Sequence, residues 1–429
     1  MIILGIETSC DETGVCIIET KESEQGTILT VLGNQLYSQV AKHAEFGGVV
    51  PMMAKREHAK NLVPLLKKCL EEAEYNRPGS LTHHPSLTKE GEAGKRDESR
   101  LASSSLAKEE CHSADKAVEN ILIREPELFT ELLKLLETIE KPNIDAIAVT
   151  NGPGLEPALW MGVTFAKALA IAWNTPAIPT NHMEGHILVS SLQIMENKDS
   201  PSKAKERPCF TIIETKYPAI ALLISGGHTQ LVLIKDKLDY EIIGGTRDDA
   251  VGEAFDKVAR MLGLPYPGGP QISKYADAWK ENSNNKKQNF KFPRPMINSK
   301  DLDFSFSGLK TSVLYTLKEI PEITEDIKQE IAYEFKEAVM EVLATKTKSA
   351  LIEYGAKSLI VGGGVIADKN IRLALEKTAR ETGVEFLLPE ISASTDNALM
   401  IALAGLVRCK MLGDKCQMSD FKANGNLSL

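Results

Sequence analysis

No Cys-x-x-Cys pair occurs in the chain, no apolar run approaches the ~18 residues of a membrane span, and no Gly-x-x-x-x-Gly-Lys-[Ser/Thr] loop is present. The first absence matters because the seven cysteines, Cys10, Cys16, Cys69, Cys111, Cys209, Cys409 and Cys416, are scattered and odd in number. Neither a disulfide framework nor a zinc knuckle is indicated, and a reducing compartment fits. The second excludes a membrane-spanning helix. The opening MIILGIETSC lacks a basic region and soon turns acidic, so no signal peptide is expected and the protein reads as soluble and cytoplasmic, with no membrane partner. The third excludes a P-loop, and Gly-x-Gly-x-x-Gly with a following acidic residue is missing too. Any nucleotide is held another way. A formal net charge of −9 argues against a free-standing nucleic-acid binder relying on bulk electrostatics, and leaves room for a local basic patch.

What is there is long enough for two domains: 429 residues, 43% hydrophobic and 25% charged. IILGIETSCDETGVCIIET is an apolar run, a polar turn and a second β-rich run, a hairpin pattern. AIALLISGGHTQLVLIKD, Ala219 to Asp236, repeats that plan two hundred residues later and suggests a duplicated domain. IDAIAVTNGPGLEPALWMGVTFAKALAIAW and AKSLIVGGGVIADKNIRLALEKTARETG each read strand, glycine turn, helix. Helical patterning also marks LVPLLKKCLEEA, VGEAFDKVARMLGL and the stretch around Ile331 to Leu343. Strands alternating with helices give an α/β class. Two polar segments look inserted, at about 76–141, which ends in a helical PELFTELLKLLETI, and at about 196–217.

TNHMEGHI, Thr180 to Ile187, spaces His182 and His186 four residues apart, on one helical face where they can share a metal. Such a pair alone is as a rule structural. Protease chemistry is disfavoured, because a zincin needs His-Glu-x-x-His and Glu184 lies ~200° around a helix from His182. Asp396, in SASTDNALMIALAG, offers a third ligand, and Ser394, Thr395 or Asp396 serves equally as an N-cap for the helix that follows. Glycine turns end three apolar runs, at Ser225–Gly227, Gly268–Gly269 and Gly362–Gly364, with Asp256 in GEAFDK among them. Backbone N–H groups at such turns can approach a phosphate, and Asp256 can accept from ribose hydroxyls or simply be a solvated helix residue. WKENSNNKKQNFKFPRPMINSK, Trp279 to Lys300, has six Lys/Arg against one Glu, with Phe290 and Phe292 interleaved. That combination suits an RNA strand, and a solvated loop as well.

Together GIETSCDETG, HAEFGGVVP, NGPGLEPALWMG, NHMEGH, SGGHTQL, GEAFDKVARMLGLPYPGGP, FSFSGLKT and STDNA resemble the universal tRNA threonylcarbamoyladenosine transferases, formerly described as O-sialoglycoprotein endopeptidases. His228 and GGPQIS are similar to the bacterial and mitochondrial branch. The resemblance implies an actin/Hsp70/sugar-kinase-type fold, two duplicated α/β lobes around a cleft. The expected lobes are 1–185 plus 395–429, carrying the insertion at 76–141, and 219–394, with 196–217 as a linker loop. It implies iron or zinc held by His182, His186 and Asp396, and the adenylate of threonylcarbamoyl-AMP lying along Leu223, Ile224, Ser225, Gly226 and Gly227, Asp256 and Gly269. Asp11 and Glu12 match the acidic pair of the family's first turn. The family usually has asparagine where this chain has Asp368, with Asn370 two residues on, so either residue is a candidate for that nucleotide contact. The implied partners are tRNA, an inactive paralogue subunit and a small P-loop ATPase. The rival readings are a kinase or ATPase on the same fold, the metalloendopeptidase and a silent binding subunit.

Overall fold

The computed structural model describes residues 1–24, 26–75, 116–195, 207–282, 288–413 and 420–429. Its frame is two sheets. The first strand, β1 (Ile2–Glu7), pairs antiparallel with β2 (Glu12–Ser23), which pairs antiparallel with β3 (Gly26–Ser38). β4 (Ala146–Gly152) and β5 (Ala177–Asn181) add in parallel on the other side of β1. β6 (Leu192–Ile194) and β7 (Cys209–Ile212) extend the sheet beyond β3, giving the order β5-β4-β1-β2-β3-β7-β6. β7 lies inside the segment read from its polar composition as a linker loop. Its Phe210 is buried, and it bonds to both β3 and β6. Of the first polar segment, the helix Pro126–Thr138 forms as expected; 76–115 and 196–206 lie outside the described residues.

The second sheet repeats the first. β8 (Ala219–Ile224), β9 (Thr229–Asp236) and β10 (Asp239–Gly245) form an antiparallel meander, and β11 (Ser358–Gly362) and β12 (Glu385–Leu387) join β8 in parallel, in the order β10-β9-β8-β11-β12. Stripped of β6 and β7, the first sheet reads β3-β2-β1-β4-β5, the same order and the same senses. This doubled plan is the actin/Hsp70/sugar-kinase-like α/β fold. The first strand of each meander is buried at every residue, as a strand covered on both faces must be, which is why IILGIE and AIALLI are near-continuous apolar runs.

Helices cover both faces of each sheet. Ala398–Leu412, apolar and buried from Ala398 through Val407, packs against β1, β2 and β4. Gly5 makes that approach possible, since a Cβ there would lie 2.4 Å from the Ala398 carbonyl oxygen. The helix His182–Val189 sits at the junction of the sheets: Met183 and Ile187 pack with Ala221 and Leu223 of β8 and Ile360 of β11. Among the described residues no helix is long and apolar enough to cross a membrane.

Candidate metal centre and nucleotide cavity

β5 ends at Asn181, whose side-chain oxygen accepts from the N–H groups of Met183 and Glu184 at 2.9 and 3.3 Å and so caps the helix His182–Val189. One turn separates the two histidines, and their rings meet edge to face with centroids 4.8 Å apart. Asp396 arrives from the far end of the sequence. Its Oδ1 lies 3.4 Å from Nε2 of His182 and 3.1 Å from Nε2 of His186. All three candidate ligand atoms fall within 4.8 Å of one another. The question of ligand or cap at this position is answered by its neighbour: Asn397 caps Ala398–Leu412, accepting from Met400 N–H at 3.1 Å, and Asp396 is left to face the histidines.

A carboxylate not singled out from the sequence completes the arrangement. Glu7, the last residue of β1 and fully buried, places Oε2 3.1 Å from Nδ1 of His182 and 2.6 Å from the Thr150 hydroxyl that donates to it. Its Oε1 accepts from Ser9 N–H. A histidine held on its far nitrogen by a carboxylate is the usual support of a metal ligand. Burial would raise Glu7, but His182 beside it holds it below the ordinary carboxylate range. Burial likewise opposes the charge on Asp396, yet His182 and His186 keep it well below its usual value. His182 goes the other way: burial would lower it, and Asp396 and Glu7 raise it well above the ordinary imidazole value. The pocket is built to hold positive charge between two carboxylates. Two imidazoles and one carboxylate converging within 4.8 Å are also the donor set of divalent zinc and iron sites. The residues fit a metal ion.

Glu184 takes no part. It turns into the protein and forms a two-pronged pair with Arg408, at 2.9 and 2.7 Å. Glu184 is therefore not placed to act as a zincin base.

Beside this cluster lies a cavity of about 400 Å³ whose lining includes Gly226, Asp256, Gly269, Ser273, Gly364 and Asp368. Its size falls in the range of small-ligand sites. Four of the expected nucleotide residues, Gly226, Asp256, Gly269 and Asp368, therefore meet in one wall. Leu223 and Ile224 do not line it; both are fully buried in β8 and hold the turn from behind. In that turn Ser225 N–H donates to the His228 carbonyl and Ser225 Oγ accepts from His228 N–H, so Ser225 closes the turn on itself. Gly226 and Gly227 remain exposed, and a Cβ on either would meet nothing within 4 Å. Gly364 of the cavity lining lies against Thr395, the residue before Asp396, and Gly362, two residues earlier in the chain, lies against His186. His228, at the other edge, is pushed down to about 4 by burial and by His182.

Asp256 is a wall residue and not a solvated one. It accepts from Gly268 N–H at 2.7 Å, and burial raises it. Asp368 is saturated. Oδ1 caps the helix Lys369–Thr382 through Asn370 and Ile371 N–H, and Oδ2 takes the Ser273 hydroxyl and the ammonium of Lys336 at 2.7 Å. The charge this aspartate brings to the cavity is thus neutralised from behind, while Asn370 donates outward to Asp277. Asp11 ends the turn between β1 and β2, and Glu12 is the first residue of β2. Burial, then Asp396 and Asp11, push Glu12 up to about 10.

In the basic stretch 279–300 the aromatic side chains turn inward. Trp279 and Phe292 are buried, and Phe290 packs on the core of the second sheet. Glu330 and Glu334 accept from the backbone of residues 289, 290 and 292, and Arg294 is paired with Glu334 and Glu341. The aromatics serve packing and leave no stacking platform; only Lys280, Lys291 and Lys300 are exposed cations among the described residues of this stretch, and 283–287 lie outside them.

With the geometry in place, comparison with known proteins is decisive. The family model described as TsaD, tRNA N6-adenosine threonylcarbamoyltransferase, matches residues 30–78, 117–205 and 206–403. The chain belongs to this family. A relative of that description from Chromobacterium violaceum is 39% identical over 414 residues, spanning 96% of this chain and 94% of the relative. Membership makes the protein a transferase of tRNA modification. Solved structures overlay loosely: the (R)-2-hydroxyglutaryl-CoA dehydratase component A of Acidaminococcus fermentans at TM-score 0.41 and 11% identity, covering 94% of this chain and 96% of that one, and full-length HypF at 0.43 and 12%, covering 68% and 42%.

Proposed function

We propose that this transferase moves a threonylcarbamoyl group from threonylcarbamoyl-AMP to N6 of the adenosine beside the anticodon in tRNAs that read codons beginning with adenine. One observation carries the reading: a cluster suited to a divalent ion stands next to a small-ligand cavity, with Gly364 of the cavity lining against Thr395, the neighbour of Asp396. His182, His186 and Asp396 would hold Fe2+ or Zn2+, which when bound supplies Lewis acidity toward the acyl carbonyl.

The donor is a mixed anhydride with a good leaving group, and the acceptor amine is a poor nucleophile because its lone pair is delocalised into the ring. Alignment and charge stabilisation are what the protein must supply. Asp256 faces the ribose hydroxyls from the cavity wall. The N–H groups of Gly226 and Gly227 face the phosphate, and Lys336 keeps the charge of Asp368 from opposing it. As N6 bonds to the carbamoyl carbon, the C–O bond to phosphate breaks and a proton leaves N6. His228, lowered to about 4, is a weak base, and the departing phosphate receives that proton. tRNA is bound in concert with an inactive paralogue, and a small P-loop ATPase serves the cycle.

The test is reconstitution of protein, partners, donor and tRNA with nucleoside analysis of the product. His182→Ala should remove both transfer and bound metal. Full transfer by metal-free His182→Ala protein would overturn the proposal.

A further inference from the structure

The described chain closes with residues 420–429, an irregular segment lacking repetitive structure, yet laid across the C-terminal ends of the strands that carry the site. Phe421 and Ala423 are buried in the core of the first sheet. Asn424 N–H donates to the Asn151 carbonyl at 2.8 Å, and the Gly425 carbonyl accepts from Gly154 N–H at 3.2 Å. Gly152 is shaped for this crossing: a Cβ there would fall 2.0 Å from the Asn424 carbonyl oxygen. The segment then reaches the metal helix. The Ser428 carbonyl accepts from Nδ2 of Asn181 at 3.0 Å, and Leu429 packs on the cluster that contains Met183 and Ile187.

From this we infer that residues 420–429 act as a positioning strap for the His182–His186 helix, an inference that rests on the metal reading above. The Asn181 amide is the link between strap and helix. Its oxygen caps the first turn through two N–H groups while its Nδ2 donates to the Ser428 carbonyl, so both ends of the amide are held and the strap fixes where the cap sits. His182 is the residue after that cap, so its ring inherits the direction in which the helix starts. A second route runs through the turn 151–155: Leu155 N–H donates to the Ser9 carbonyl at 2.7 Å, and Ser9 N–H donates to Glu7, the carboxylate behind His182. The strap therefore braces the ligand helix and its supporting carboxylate from one continuous stretch of chain. None of its residues touches the candidate ion; it works through Asn181 and Glu7.

The experiment is a Zn2+ titration against a chromogenic chelator, with Co2+ absorption as a report on ligand geometry, on the full chain and four variants. Deletion from Leu427 onward, and Asn181→Ser, which keeps a cap but loses the donor to Ser428, should each weaken Zn2+ binding roughly tenfold and alter the Co2+ spectrum. Leu132→Ala, in the core beneath Pro126–Thr138, should lower thermal stability and leave both readouts unchanged. If the deletion does not fold, Asn181→Ser decides. Unchanged affinity in Asn181→Ser, or a loss matched by Leu132→Ala, overturns the strap. His182→Ala binding Zn2+ as tightly as the parent would instead overturn the metal reading.

Discussion

Glu7 stands 3.1 Å behind His182, on the nitrogen turned away from Asp396. The imidazole is therefore gripped at both ends by carboxylates from opposite ends of the chain, which fix its orientation. Because Glu7 also takes Thr150 and Ser9, it is itself held still. Support of this kind tunes a metal as strongly as the ligands do.

Replacing Glu7 with Gln keeps the shape and removes the charge. Metal affinity should fall 10- to 100-fold, with transfer falling alongside it, while the fold is retained. Chelator competition measures the first quantity. An affinity within twofold of the parent would show that Thr150 and the packing alone hold His182.

Asp368 and Lys336 predict a pH signature. Burial opposes the charge on Asp368, but Lys336 and Ser273 keep its folded value below the ordinary one. A depressed carboxylate contributes stability that is whole above the unfolded value of ~3.9 and is lost as pH falls through the folded value. Asp368→Asn leaves the Lys336 ammonium buried with only the distant Asp277 at 3.4 Å, so at pH 7 it should cost about 3 kcal/mol. The gap between parent and variant should close below pH 4. Lys336→Met with Asp368→Asn should recover most of the loss. Urea midpoints from pH 3 to 7 check both statements, and a gap independent of pH would refute the pairing.

Within 288–300, side chains of opposite function alternate. Phe292→Ala should cost roughly 3–5 kcal/mol, since the ring is core. Lys291→Glu with Lys300→Glu should alter stability by less than about 0.5 kcal/mol, weaken tRNA binding and reduce its salt slope by about two. Filter binding at several salt concentrations measures this. Unaltered binding would leave these lysines as solvated surface.

Much of this architecture was legible because periodicity and burial agree. IILGIE and AIALLI read as strands for the reason that they are central, and the matching hairpins disclosed the doubled plan. The two histidines were legible through their spacing. Asp396 was not separable from a cap, because a cap is decided by one backbone angle and the true cap is the next residue, Asn397. Glu7 went unread although its signal was present: an acid at the end of an otherwise apolar buried strand has to be neutralised by something. Phe290 and Phe292 misled because their partners, Glu330 and Glu334, lie forty residues away, and a composition of lysines and aromatics does not show which side chains point inward. β7 was hidden in polar flanks, since an edge-side strand of four residues carries little periodicity.

The three cation ligands ride on elements of the first sheet, and the cavity walls ride on elements of the second. A donor spanning both sites would be gripped at its acyl end by one body and at its nucleotide end by the other. On the proposed reading, the spacing of the two grips would then set the length of donor that fits between them.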